Sequence, residues 1–225
     1  MKLIMENWKR FLSENKKEDI RNLKYGELKK RKHKKDLGKE LKVIDIKLSD
    51  IPIAKFPAND SEAVRNELKK VLDTMTNNRE LSRKDLNDTD RRPLKLFKDY
   101  LKKNDLEFKD QMVKDIHNDA GVFSLKLKMR YERPRPEQLG PMVGYDIKSI
   151  KTDTDDTPAF PSGHTMQAWT LAYYLADKHP DHKQEIYDIA EMIEKSRIIR
   201  GAHYPSDNKE AKKIAKKYLY PNIKN

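Results

Sequence analysis

Three short stretches of this 225-residue chain hold residue types that could act together on an anion: "KMRYERPRP", "FPSGHT" and "SRIIRGAHYPSD". In the first, Lys128 stands seven residues before Arg135, and Pro136 follows; Lys126, Arg133 and Pro134 repeat the same spacing. A planar guanidinium donates two parallel hydrogen bonds and suits a tetrahedral oxyanion. In the second, Ser162 and Gly163 precede a helical pattern, where backbone N–H groups and the helix dipole favour negative charge. Ser162 adds a hydroxyl, Gly163 permits close approach, and His164 sits in the first turn. In the third, Arg197 lies six residues before His203, and Asp207 lies four after it. A carboxylate reaching back to His203 would fix one ring nitrogen as N–H and leave the other as a nucleophile or base. Each stretch alone has a plain structural explanation, as a helix C-terminus, a cap or a turn. Together they offer one lysine, two arginines, a Ser-Gly turn, two histidines and an aspartate.

The elements that must position these residues read as helices. Leu94, Phe97 and Leu101 fall on one face, and Phe108, Met112, Ile116, Ala120, Phe123 and Leu127 continue that spacing along a longer segment. A third helix is expected over about 165–178, with Met166, Trp169, Ala172 and Tyr173 inward. A fourth is expected over about 183–200, with Ile186, Ile189, Ala190 and Ile193 inward. Asn59, Asp60 or Ser61 would cap an earlier helix, and Ser206 a last short one. No alternating strand pattern, repeat or glycine-rich phosphate loop occurs, so the expected fold is an all-α helical bundle.

Charged residues make up 38% of the chain and apolar ones 36%, enough for one core under a highly charged surface. There is no cysteine, which excludes disulfides and thiolate metal sites. The longest apolar helical stretch, around "MQAWTLAYYLA", is shorter than the roughly 20 residues a bilayer requires. The N-terminal apolar run is broken by Glu6, Asn7, Lys9 and Arg10, unlike a secretory signal. The expectation is therefore a soluble protein, cytoplasmic or delivered by an unrecognised N-terminal signal, with no integral membrane association.

The net charge of +12 is uneven. Residues 1–42 hold 15 Lys/Arg against 7 Asp/Glu, and the remainder holds 34 against 30. This divides the chain into a basic N-terminal extension, 1–42, with an amphipathic helix over 3–13, and an all-α domain, 43–225. The extension's charge would suit an acidic surface or nucleic acid. His179 and His182 in "HPDH" have ligand-like spacing, but a polar helix N-terminus explains them more simply, and no metal site is expected.

The order and spacing of the three stretches resemble the signature of the phosphatidic acid phosphatase type 2 superfamily. That group includes soluble class A bacterial acid phosphatases, membrane lipid phosphatases and vanadium haloperoxidases. The resemblance covers roughly residues 50–220 and is most specific over 128–136, 161–164 and 196–207. Class A enzymes often carry an aromatic residue and a second arginine within the first motif. Tyr131 and Arg133 fill those places if Lys128 and Arg135 are the functional pair. The resemblance implies a metal-independent phosphomonoester hydrolase of the acid phosphatase type with a small phosphomonoester substrate. His203, held by Asp207, would attack phosphorus to form a phosphohistidine, and His164 would act as general acid and then general base. Lys128, Arg135, Ser162, Gly163 and Arg197 would bind the phosphate. No cofactor is implied, although phosphate or vanadate would fit the same cradle. The rival readings are a vanadium-dependent haloperoxidase and a packaged or structural protein with a degenerate phosphatase domain.

Overall fold

In the computed structural model, residues 19–28, 30–150 and 156–224 are described; the helix expected over 3–13 lies outside them. Residues 19–22 are helical, and nine further α-helices follow among the described residues: α1 (Arg31–Leu37), α2 (Glu62–Thr76), α3 (Arg83–Arg91), α4 (Pro93–Lys103), α5 (Asp110–Tyr131), α6 (Pro136–Leu139), α7 (Gly163–Lys178), α8 (Lys183–Ile199) and α9 (Pro205–Ile214). The only β pairing among them is an isolated antiparallel bridge, Ile44 with Ile223. The fold is an all-α helical bundle, as the periodicity implied.

The helix α7 is central because its sequence allows burial on nearly every side. Met166, Ala168, Trp169, Leu171, Ala172 and Leu175 are all buried, and even Thr165 and Thr170 are fully enclosed. A helix apolar all round has no solvent face and must be wrapped by neighbours. Packing against α7 are α5, α8 and α9. On α5, Val113, Ile116, Ala120, Phe123 and Leu127 form the inward stripe. That helix ends where Glu132 takes a left-handed conformation (φ 50°), just before Arg133-Pro134.

Caps set the entry points of the other helices. Ser61 caps α2 by accepting from the Val64 N–H at 3.2 Å. Ser82 and Asp85 form a reciprocal capping box on α3. The last helix begins one residue before the expected cap. Ser206 lies inside its first turn, and Asp207 does the capping, accepting from the Tyr204 N–H at 2.9 Å. Ser206 is drawn to Glu67 of α2 instead, donating its N–H at 2.7 Å and its hydroxyl at 2.8 Å.

The described part of residues 1–42 is seated on the bundle. Ile20 is buried among Val64, Leu68, Val71 and Tyr204. Asn59 donates to the carbonyl of Leu23 at 2.8 Å, and the Tyr25 N–H donates to that of Glu132 at 2.9 Å. Asp119 of α5 then gathers three successive N–H groups, from Lys42, Val43 and Ile44, at 2.7–3.1 Å. A basic composition alone gave no sign of these contacts, because they use backbone groups and a few apolar anchors.

Candidate active site

The three motifs meet where α5 and α8 end and α7 begins. A cavity of about 600 Å³ is lined there by Lys128, Arg135, Gly163, His164, Arg197 and His203, together with Thr157 and polar residues of the 33–42 segment. Lys128 and Arg197 occupy the last turns of α5 and α8, where the helix dipole favours a cation. Gly163 and His164 open α7, where it favours an anion.

Beneath the cavity lies a chain of buried charges. His203 Nδ1 lies 3.2 Å from Asp207 Oδ2. The other oxygen of Asp207 accepts from Arg133 Nη1 at 2.6 Å, and Arg133 Nη2 donates to Glu67 at 2.9 Å. An ionised Asp207 can only accept, so Nδ1 of His203 must carry the proton, and its Nε2 keeps the lone pair. Burial, and then Lys128, Arg135, Arg197 and His164, hold the His203 imidazole well below its ordinary 6.5. The ring therefore favours its neutral form more strongly than an ordinary imidazole does. Burial also pushes the Asp207 carboxyl up, opposed by Arg133, by the Tyr204 N–H and by Lys128.

The cationic side chains are fixed by neutral acceptors and by one carboxylate. Lys128 donates to the carbonyls of Pro158 and, at 3.2 Å, Ala159. Arg135 donates to the carbonyls of Thr157 (2.7 Å) and Ala202 (2.8 Å) and to the Thr157 hydroxyl (3.2 Å). Carbonyls orient a cation without neutralising it. Arg197 donates to Asp90 Oδ1 at 2.8 Å. Gly163 permits this closeness, since a Cβ there would lie 3.1 Å from Ser124 Oγ and 3.7 Å from Lys128 Cε.

His164 Nε2 lies 3.0 Å from the backbone carbonyl of Asp90, which can only accept. Nε2 therefore carries a proton, and protonation changes at Nδ1. Ser162 differs from expectation. It is fully buried and does not line the cavity. Thr165 donates its one hydroxyl proton to Asn208 at 2.9 Å, so the Ser162 hydroxyl donates to Thr165 Oγ1 at 2.8 Å. The Ser162 N–H donates to the Asp207 carbonyl at 3.2 Å. Both of its donors point into the fold, where they lock the α7 turn to α9.

Of the two first-motif pairs, Lys128 and Arg135 line the cavity. Lys126 instead donates to the Lys39 carbonyl at 2.7 Å, and Arg133 lies beneath Asp207. His179 and His182 stand apart from the cavity, and His182 Nδ1 lies 2.8 Å from the Tyr100 hydroxyl. Sequence reasoning missed Asp90, Glu67 and Thr157. They act through tertiary proximity, and no spacing rule links them to the motifs.

Residues 119–209 match the family model described as the PAP2 superfamily, a span that contains every candidate site residue named above from the motifs. The chain is 43% identical to an acid phosphatase of Zymomonas mobilis over 49 residues, 22% of this chain and 19% of that protein. It is 27% identical to a non-specific acid phosphatase of Providencia stuartii over 110 residues, 47% of this chain and 42% of that one. The chain thus spans less than half the length of either curated relative. A solved transmembrane PAP2 type phosphatidylglycerolphosphate phosphatase from Bacillus subtilis aligns with a TM-score of 0.47 at 17% identity, over 69% of this chain and 82% of that one. Among the described residues, no helix is long and apolar enough to cross a membrane. The matched span thus places the three motifs on the end of α5 with the turn into α6, on the turn into α7, and on the end of α8 with the start of α9.

Proposed function

We propose that this protein hydrolyses phosphomonoesters through a covalent phosphohistidine. The observation that carries the reading is the lining of one cavity by His203, His164, Lys128, Arg135 and Arg197, with Asp207 directly behind His203. His203 Nε2, neutral and oriented by Asp207, attacks phosphorus in line with the leaving oxygen. The P–O bond to the leaving group breaks as the N–P bond forms, and His164 delivers a proton from Nδ1 to the departing oxygen. Water then attacks the phosphohistidine and gives a proton back to His164 Nδ1, and orthophosphate and free His203 are regenerated. Lys128, Arg135, Arg197 and the Gly163 N–H stabilise the charge on the non-bridging oxygens. This assigns to fixed side-chain cations the electrophilic role that a metal ion fills in other phosphatases.

The first step needs a neutral His203 and a protonated His164. The depressed pKa of His203 widens the acidic range in which both conditions hold, which supports an acidic to neutral optimum. Phosphate release from sugar phosphates, nucleotides, pyrophosphate and p-nitrophenyl phosphate, with and without EDTA, tests the reading. It expects EDTA-resistant turnover in the wild type and none in His203→Ala. Full activity in His203→Ala would overturn the role given to that residue.

A further inference from the structure

We propose that Arg133, steered by Glu67, is a positioning residue: it holds the Asp207 carboxylate in the form and orientation that keep the proton on Nδ1 of His203, and it does not bind phosphate. This rests on the phosphohistidine reading above.

Arg133 shares the Lys–Arg–Pro spacing of a phosphate ligand, but its guanidinium is spent elsewhere. Nη1 donates to Ser206 Oγ at 2.7 Å and to Asp207 Oδ1 at 2.6 Å, and Nη2 donates to Glu67 Oε2 at 2.9 Å. The Tyr204 ring lies 3.8 Å from the guanidinium carbon, and the Phe56 ring lies 4.9 Å away. Arg133 does not line the cavity. The oxygens of Asp207 are divided between two tasks. Oδ1 takes the Arg133 bond, and Oδ2 faces His203 Nδ1 and accepts from the Tyr204 N–H.

Burial penalises the charge on Asp207. The charged or titratable groups that act on it are Arg133, His203, Lys128, Glu67 and the Tyr204 phenol. Arg133 meets that penalty directly, with a 2.6 Å hydrogen bond to the carboxylate. If Asp207 gained a proton, it could donate that proton to Nδ1. His203 would then carry its own proton on Nε2, and the lone pair needed for attack would be gone. Glu67 completes the clamp from α2. It holds Arg133 Nη2 and also the N–H and hydroxyl of Ser206, in the same turn of α9 that carries Asp207.

The test compares wild type, Arg133→Gln and Glu67→Gln in two readouts. The first is the tautomer of His203 without substrate, read from imidazole nitrogen shifts of histidine-labelled protein near neutral pH. Wild type should show Nδ1–H, and Arg133→Gln should shift toward Nε2–H. The second readout is kinetic. Arg133→Gln should lower kcat by about 100-fold, part of the roughly 10⁴-fold that a wrong tautomer costs in a serine protease triad. Its acid limb should move to higher pH, because an unclamped Asp207 keeps its proton longer as pH rises. Inhibition by inorganic phosphate should stay within about threefold of wild type, since no phosphate contact is lost. Glu67→Gln should move both readouts in the same direction by less, and it decides the matter if Arg133→Gln does not fold. An unmoved tautomer and acid limb, or phosphate inhibition weakened in step with activity, would overturn the proposal. If wild type shows the Nδ1–H tautomer and its dependence on Arg133 but hydrolyses no phosphomonoester, the functional reading fails and the positioning role stands.

Discussion

The floor of the cavity and its mouth are built on opposite principles. In the floor, the side chains of Arg133 and Asp207 are completely buried and that of Glu67 is only 15% exposed. In the mouth, the lysines Lys39 and Lys42 are 54% and 64% exposed, and they pair with the less exposed Asp36 and Asp115. A buried charge that loses its partner keeps its full desolvation penalty, at about 3–5 kcal/mol. An exposed pair contributes about 0.2–1 kcal/mol and is screened by salt. The contrast teaches that the residues assigned to chemistry sit where the fold cannot give, and that the outer lining sits where lysine side chains are solvated. Residues 33–42 supply part of that mouth, so the described part of the basic segment borders the site.

The largest effects should come from the floor. His203→Ala should reduce turnover to background, checked by phosphate release with purified protein. Asp207→Asn should lower kcat by up to about 10⁴-fold, because an amide cannot hold the same ring tautomer. Circular dichroism of that variant should remain helical. Next is Asp90, which anchors Arg197 and accepts from His164 through its carbonyl. Asp90→Asn frees the Arg197 fork, and a misplacement of about 1 Å costs about 100-fold in kcat/KM. An effect below about threefold would move Asp90 out of the floor's company.

Nearer the rim, His117 has its imidazole held down to about 4 by burial and by Lys98. The unfolded chain takes this proton near 6.5, so the stability gained by keeping the ring neutral is whole above 6.5. It is lost as pH falls through that window toward 4. Thermal melting across the window should therefore be flatter for His117→Gln than for wild type. The smallest effect belongs to the mouth. Lys39→Ala should change KM by no more than about fivefold, the most an exposed pair contributes, and should leave kcat alone. A large kcat loss there would erase the distinction between the two regions.

The convergence of the site was legible because Lys128, Arg135, Gly163, His164, Arg197, His203 and Asp207 lie on or beside helix ends, where spacing along the chain translates directly into position. Helical periodicity likewise located α5, α7 and α8. Asp90, Glu67 and Thr157 were illegible for the opposite reason. Each reaches the site from a distant segment, and its partner is set by how helices pack. The capping box "SRKD" that starts α3 could have placed a helix at Ser82, but nothing in it points Asp90 toward Arg197. Ser162 shows a further limit. Its spacing suits a phosphate donor, but the hydroxyl's direction depends on Thr165 and Asn208, which no motif names.

The central claim is that phosphorus passes through His203 rather than directly to water. Hydrolysis of a phosphomonoester made chiral with oxygen isotopes tests it most directly. Two successive in-line displacements should give inorganic phosphate with retained configuration at phosphorus. Inversion would mean a single direct attack by water and would contradict the account.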